Sequence, residues 1–443
     1  VTDDRRALLR SWIAQLTTDP LDPCAEGETR YVRLEHAGRD EVDTLHSTIS
    51  LAYRTTTQLL SGPAGSGKTT ELNRLRGLLT DDGFTVVMME VSNYVNQSSE
   101  IDVTDFLIAL GLACGEQLVP PPEQVERGFA PRFRDFLRRV RVSVDIAGVR
   151  GEISAAGASV DMFGLGVEID LQKELKSSEP FVAELRRTLA FQVGELYAEV
   201  AAFLQELVRR NKEERPDSAG VVVIVDSLEK MHGTVANDDQ VQASVEALFV
   251  HHSSKLRFDS HHMVYTVPAY LAFTDPGMLP FDGPVRSVPI PQVTSATGSR
   301  DDKAEATVAA LKEAVNRRVP AAELLAEEAL LEEVIGASGG HLRDLFQLLQ
   351  ELITLAFSRR LDLPVGPAAV AEAVARVGHG FASITREDAE FLRWIAGQRG
   401  AIEPPAEQVH RLARLMNAHM VLGHLNHESW YEVHPLARRA LDL

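Results

Sequence analysis

Cysteine is almost absent from this chain, with Cys24 and Cys114 the only two in 443 residues and not in metal-ligand spacing. That scarcity excludes a disulfide-stapled scaffold and is what a reducing cytoplasm would give. No apolar run of about 18 residues occurs, and no charged stretch followed by an apolar core opens the chain. The expectation is a cytoplasmic protein, neither secreted nor membrane-spanning; residues 1–16 instead carry the spacing of an amphipathic helix. Low-complexity tracts and internal repeats are lacking too, which excludes a solenoid. Positive charge is short: 45 Lys and Arg stand against 64 Asp and Glu, a net −19. Such a surface repels polyanions, so nucleic-acid binding would need Lys and Arg concentrated locally. With 44% hydrophobic and 25% charged residues, the chain is ordinary globular material for two or three domains.

What the sequence does have is a phosphate-binding pattern. Gly62-Pro63-Ala64-Gly65-Ser66-Gly67-Lys68-Thr69 fits G-x-x-x-x-G-K-[ST], with an apolar stretch (Leu59, Leu60) before it and a helix-forming stretch from Lys68 to about Leu79 after it. The glycines permit a backbone that turns successive N–H groups inward around phosphate oxygens. The following helix points its positive end at the same anion. Lys68 is placed to reach the β- and γ-phosphates and the Thr69 hydroxyl to ligate Mg²⁺, with Thr70 completing the binding loop.

Around this loop the sequence reads as a parallel α/β domain. A helix over 39–53 leads into a strand at 57–61; after the turn Asp81-Asp82-Gly83, Phe84–Val91 is a continuous apolar strand of the kind covered on both faces. Helices follow at 103–118 and 129–140, the alternation over 141–171 predicts a β-hairpin insertion, and 180–210 reads as one long helix. Val221–Asp226 is an apolar strand ending in a carboxylate, which a parallel sheet delivers to its ligand-binding edge. Asp226 is therefore the candidate magnesium-holding acid, and Glu229 the candidate for orienting or deprotonating water. Further strands are expected at 261–268 and 285–293, with Thr266 the candidate γ-phosphate sensor and Arg286 a candidate arginine finger. Helices are expected at 301–318, 320–336, 341–360 and 367–377; the third opens with Gly339-Gly340-His341-Leu342-Arg343-Asp344-Leu345, which places Arg343 at a helix start. Residues 384–443 carry two helices (386–397, 405–420), two short strands and a closing helix, a winged-helix pattern. Their histidines (His410, His419, His424, His427, His434) match no zinc spacing and are read as solvated or core-satisfied.

Together these features resemble the AAA+ superfamily, and within it the origin-recognition initiator ATPases and the related STAND signalling ATPases. The resemblance covers about residues 35–443 and implies an α/β P-loop NTPase fold. Its domains are an N-terminal helical extension (1–38), an ATPase core (39–300), a helical lid (301–380) and a winged helix (384–443). It implies ATP and Mg²⁺ as cofactors, Thr69 and Asp226 on the metal, Thr266 as sensor 1, Arg343 as sensor 2 and Arg286 as a finger toward a neighbouring copy. One departure matters: the position directly after Asp226, where most of the superfamily has its catalytic Glu, is Ser227, and the Asp226-x-x-Glu229 spacing is closer to the STAND style. The leading expectation is a slowly hydrolysing ATPase acting as a conformational or assembly switch, with ATP and ADP as ligands and a homo-oligomer or a protein as partner through the winged helix. Phage defence or stress signalling is the setting the class suggests.

The alternative is ATP-dependent duplex binding by the winged helix, in replication or transposition. Its candidate recognition helix carries Arg411 and Arg414 but also Glu407, and the wing carries Glu428 and Glu432, a thin footprint beside the roughly 6–10 phosphate contacts of a strongly salt-dependent binder. Duplex binding is the less favoured reading. A small-molecule kinase is disfavoured because lid and wing have no place in one.

Overall fold

The computed structural model describes residues 3–34, 41–139, 170–233, 237–273, 279–295, 298–382, 384–398, 405–425 and 429–442. Strands β1 (Thr57–Ser61), β2 (Phe84–Glu90), β3 (Gly220–Asp226), β4 (His262–Thr266) and β5 (Arg286–Ser287) form one sheet in the order β2-β3-β4-β1-β5. The β2–β3, β3–β4 and β4–β1 pairs are all parallel. The α/β fold read from the sequence is thus the one observed. The chain separates into two compact units: Val1–Leu45, Ser61–Gly77 and Arg286–Leu443 in the first, His46–Leu60 and Leu78–Val285 in the second.

In the second unit β3 is buried at every residue after Gly220, as Val221-Val222-Val223-Ile224-Val225 between two parallel neighbours should be. The helix Val103–Leu118 packs against β2 and against the helix Val193–Glu214. Asp102 and Asp105 fasten its start with a reciprocal capping box, and every residue from Val103 to Gly115 is buried. The single helix expected over 180–210 is two, Glu179–Leu189 and Val193–Glu214. Buried Phe181, Leu185 and Leu189 are followed at unbroken spacing by Leu196, Val200 and Phe203, so periodicity runs through a break where Phe191 lies 96% exposed. The expected hairpin over 141–171 lies outside the described residues except for Asp170 and Leu171. There Asp170 accepts from the Lys173 N–H at 3.0 Å and caps a helix, Leu171–Ser177, so Leu171 is helical.

In the first unit the helices Asp302–Asn316, Glu328–Ser338, Leu342–Ser358 and Pro367–Gly378 share one core with Leu9, Trp12 and Leu16 at the N-terminal end of the chain. The helix expected over 320–336 is interrupted. Ala326 N–H donates to Val365 O at 3.0 Å and Val365 N–H to Leu324 O at 2.8 Å, a strand-like bridge that takes the backbone groups a continuous helix would use. The strand expected over 285–293 pairs only at β5, with the Val288 N–H reaching Ser61 O at 2.9 Å; Pro289 and Pro291 have no N–H to continue a ladder. The chain closes with helices Arg386–Gly397 and Val409–Asn417, the antiparallel pair β6 (Val421–Leu425) and β7 (Ser429–Val433), and a helix Pro435–Ala440. Of the turn expected over 426–429, residues 426–428 lie outside the described residues and Ser429 opens β7.

His261, just before β4, is 1% exposed, stacks on Phe258 with ring centroids 5.0 Å apart, and leaves its Nε2 without a hydrogen-bond partner among the described residues. Burial, then the neighbouring His262, pushes its pKa down to about 3. The unfolded chain binds a proton near pH 6.5 and the folded chain does not until near pH 3. This histidine's contribution is therefore whole above pH 6.5 and is lost as pH falls through that window, with a slope of up to about 1.4 kcal/mol per pH unit. Urea unfolding at a series of pH values from 7 to 4 should show a shallower decline for His261→Phe than for wild type; identical slopes would remove His261 from this account.

Candidate nucleotide site

The phosphate-loop residues belong to the first unit. Gly62, Gly65 and Gly67 all have positive φ, at 152°, 76° and 90°, so the loop adopts the backbone that only glycine enters readily. Two of them also have no room for a side chain. A Cβ on Gly62 would stand 2.6 Å from Val288 O, and one on Gly65 would stand 2.6 Å from the His341 ring and 3.2 Å from Arg343 Cβ. Lys68, 5% exposed, donates from Nζ to Gly62 O at 2.8 Å and to Pro63 O at 3.0 Å, so the ammonium is folded back on its own loop. The helix Lys68–Asp81 begins at this point.

That helix is anchored behind the loop by a buried charge network. Tyr31 donates from Oη to Glu71 Oε1 at 3.0 Å, and Arg74 bridges Glu71 Oε2 at 2.9 Å and Asp43 Oδ1 at 2.8 Å. Burial disfavours the Arg74 cation, but Asp43 and Glu71 outweigh it and raise its pKa. Thr70, expected to line the phosphates, accepts from the Leu21 N–H at 3.1 Å and so engages the N-terminal segment.

Arg343 stands where the sequence reading needs it, one residue inside the helix Leu342–Ser358, with its side chain exposed and its Cβ next to Gly65. The two glycines before it fit tightly: a Cβ on Gly340 would meet Pro291 O at 2.0 Å, and one on Gly339 would meet Leu422 Cδ1 at 2.3 Å. His341 caps the helix and holds Ala64 O from its Nε2 at 2.8 Å, a contact sequence reading did not foresee. Arg286 is ion-paired to Glu41 of its own chain at 2.9 Å, with its side chain 16% exposed.

The acidic residues belong to the second unit. Asp226 ends β3 buried, and the chain turns there through Ser227, a non-glycine residue at φ 79°. The Ser227 N–H donates both to Asp226 Oδ1 and to Thr266 Oγ1, each at 2.8 Å, so the expected sensor and the expected metal acid meet on one amide. Glu229 follows, buried in the short turn Leu228–Lys230. Glu90 is the acid that sequence reading missed: it is opposite Asp226 in the β2–β3 register and accepts from Ser227 Oγ at 2.8 Å, while Lys230 Nζ donates to the same hydroxyl at 2.6 Å. Its signal was there, in an apolar strand that ends in a carboxylate just as β3 does. In register, Leu60 lies opposite Thr266 and Val225 opposite Tyr265, so β1 through β4 all finish at one edge of the sheet, the edge where parallel folds bind ligands.

No family model matches the chain, and no curated protein matches it. Among solved structures it is similar to Drosophila ORC bound to DNA, at 12% identity over 100% of this chain and 94% of that one, with a TM-score of 0.36. It is also similar to the Aeropyrum pernix ORC2 protein in its ADP form (12% identity, 97% and 95% covered, TM-score 0.41) and to Cdc6p from Pyrobaculum aerophilum (10% identity, 97% of each chain covered, TM-score 0.36).

Gly65→Ala tests how tightly the loop is held. Left-handed backbone costs an L-residue about 1–2 kcal/mol, and Gly27→Ala, with φ 82° and nothing within 4 Å of the added Cβ, isolates that cost. Gly65→Ala is expected to lower the unfolding free energy by clearly more than Gly27→Ala does; equal losses in chemical denaturation would mean that His341 yields freely.

Proposed function

We propose that this chain is an ATP-binding, slowly hydrolysing ATPase that works as a nucleotide-dependent switch. The observation that carries the reading is the glycine loop whose Gly65 is covered by His341 and Arg343 from the helical region of the same unit. A ligand gripped by that loop acts directly on the start of the helix Leu342–Ser358.

In this reading the loop amides from Gly62 to Thr69 receive the phosphates, and Lys68 Nζ exchanges the Gly62 and Pro63 carbonyls for phosphate oxygens. Three positive-φ glycines, two of them without space for a Cβ, are a backbone that fits this use. Thr69 and Asp226 would hold Mg²⁺, which when bound supplies charge neutralisation to the phosphates. Thr266, through the Ser227 amide it shares with Asp226, fixes the orientation of that acid. Glu229 orients the attacking water, and because Ser227 occupies the position directly after Asp226, turnover is slow. Arg343 answers the γ-phosphate from the helix start. Arg286 would act as a finger toward a neighbouring copy only by leaving Glu41. Such a switch suits defence or stress signalling, with assembly or a protein contact as its output.

The residues of the last stretch favour a protein contact over duplex binding. Arg414 lies 2.6 Å and Arg411 3.8 Å from Asp388, so both cations of the candidate recognition helix are drawn to one carboxylate of their own chain. Electrophoretic mobility shifts at low salt, with and without ATP, should show no tight nucleotide-dependent duplex binding; its appearance would move the reading to a DNA-loading ATPase.

Three variants separate the roles. Lys68→Ala should abolish binding of a fluorescent ATP analogue. Asp226→Asn and Glu229→Gln should keep binding and lose about 10²–10⁴ in phosphate release. Mass photometry with ATP and with ADP should differ for wild type and coincide for Lys68→Ala; hydrolysis at motor-like rates, or no nucleotide response in wild type, would overturn the switch.

A further inference from the structure

Behind the loop, three imidazoles converge on one carboxylate. Asp344 Oδ2 lies 2.8 Å from His341 Nδ1 and 3.2 Å from His434 Nε2, and Asp344 Oδ1 lies 3.2 Å from His419 Nδ1. Asp344, His341 and His434 are buried and His419 nearly so; His419 is held at φ 60°, a backbone region uncommon outside glycine. One ligand atom each from His341, Asp344 and His419 lie within 4.8 Å of one another.

The protons in this cluster can be placed by their partners. Ala64 O only accepts, so the His341 Nε2 facing it at 2.8 Å carries a hydrogen. The Asp344 N–H points at His341 Nδ1 at 3.3 Å, which leaves a lone pair on that nitrogen. Likewise the Leu436 N–H donates to His434 Nδ1 at 3.1 Å, which puts the His434 hydrogen on Nε2, 3.2 Å from Asp344 Oδ2. His341 Nδ1, which carries no hydrogen and accepts only a long 3.3 Å contact, lies 2.8 Å from Asp344 Oδ2, a buried oxygen with no hydrogen-bond partner among the described residues, and a cation beside the pair would satisfy both. The other His341 nitrogen is fixed by a backbone carbonyl and the carboxylate is approached by a second imidazole, the support that metal-ligating His and Asp characteristically have.

We propose that His341 Nδ1, the Asp344 carboxylate and His419 form a binding site for a divalent transition ion, Zn²⁺ foremost. Two imidazoles and a carboxylate are the donor set for that borderline ion and leave a fourth position for water. His434 positions Asp344, and the Ala64 carbonyl selects the His341 tautomer. An ion here ties the start of the helix Leu342–Ser358 to His419, two residues before β6, and through His341 to the phosphate loop. The site is independent of the nucleotide reading and needs no nucleotide to fill.

The test uses the full chain, stripped by chelator and titrated with Zn²⁺ in excess Mg²⁺ without nucleotide, in competition with a chromogenic chelator. Wild type should take up about one Zn²⁺ per chain, and Co²⁺ in its place should give the visible absorption of a low-coordinate N/O site. His419→Ala should weaken uptake at least about 100-fold, and His434→Ala about tenfold, while Lys68→Ala and the control His410→Ala bind as wild type does. Far-UV circular dichroism checks folding, and His419→Gln replaces His419→Ala if the latter is unfolded. Folded wild type without stoichiometric uptake, uptake indifferent to His419, or uptake lost with Lys68 would each overturn the assignment, the last by placing the ion at the phosphate loop.

Discussion

A single imidazole laid against a glycine is the contact on which the first unit turns. His341 reaches Ala64 O at 2.8 Å only because Gly65 beneath its ring has no Cβ. Two more glycines extend the same economy of space: Gly340 lets the helix start approach the Pro291 carbonyl, and Gly339 lets Leu422 and Pro435 approach it from the other side. Loop, extended segment, helix start and the last strands are therefore packed at distances that admit no further atom. Contacts that tight behave as bistable elements, in which a small displacement at the loop is passed on rather than absorbed.

The second unit stores its constraint at Ser227. A left-handed backbone costs an L-residue about 1–2 kcal/mol, and such positions persist only where their surroundings over-determine them. Here the amide is shared by Asp226 and Thr266, and the hydroxyl lies between Glu90 and Lys230. Glycine would relieve the dihedral but lose the hydroxyl that organises the second acid. The residue directly after Asp226 is thus a strained hub, and its identity has a local physical reason.

What was legible in the sequence was whatever short-range pattern determines. The loop is spelled by its glycines; β3 is spelled by five apolar residues and a terminal Asp, because a strand buried on both faces has no other way to be written. The Gly-Gly start of the helix carrying Arg343 was legible for the same reason. Misreadings arose where periodicity outran structure, as at Phe191, or where proline silenced a ladder, as at Pro289 and Pro291. The Arg286–Glu41 pair and the His341–Asp344–His419–His434 cluster were invisible because their members come from distant segments, and no local spacing encodes such a meeting. Zinc signatures look for ligands near each other in sequence, and the histidines here become neighbours only through the fold.

The charge of the chain and its proposed ligand look opposed, since a net −19 should repel phosphate. The pairing pattern resolves this. Arg74 is held by Asp43 and Glu71, Arg132 by Glu199 and Glu206, Arg186 by Asp105, and Arg414 by Asp388. These four arginines are thus engaged within the chain and are less free to meet a long polyanion, which must be held by many cations at once. A short anion needs only a nest of backbone amides, a helix end and one lysine, all within a few ångströms and nearly indifferent to net charge. The same electrostatics that weaken the case for a duplex therefore leave the case for a nucleotide intact, because main-chain dipoles act at contact distance while surface charge is screened beyond roughly 8–10 Å.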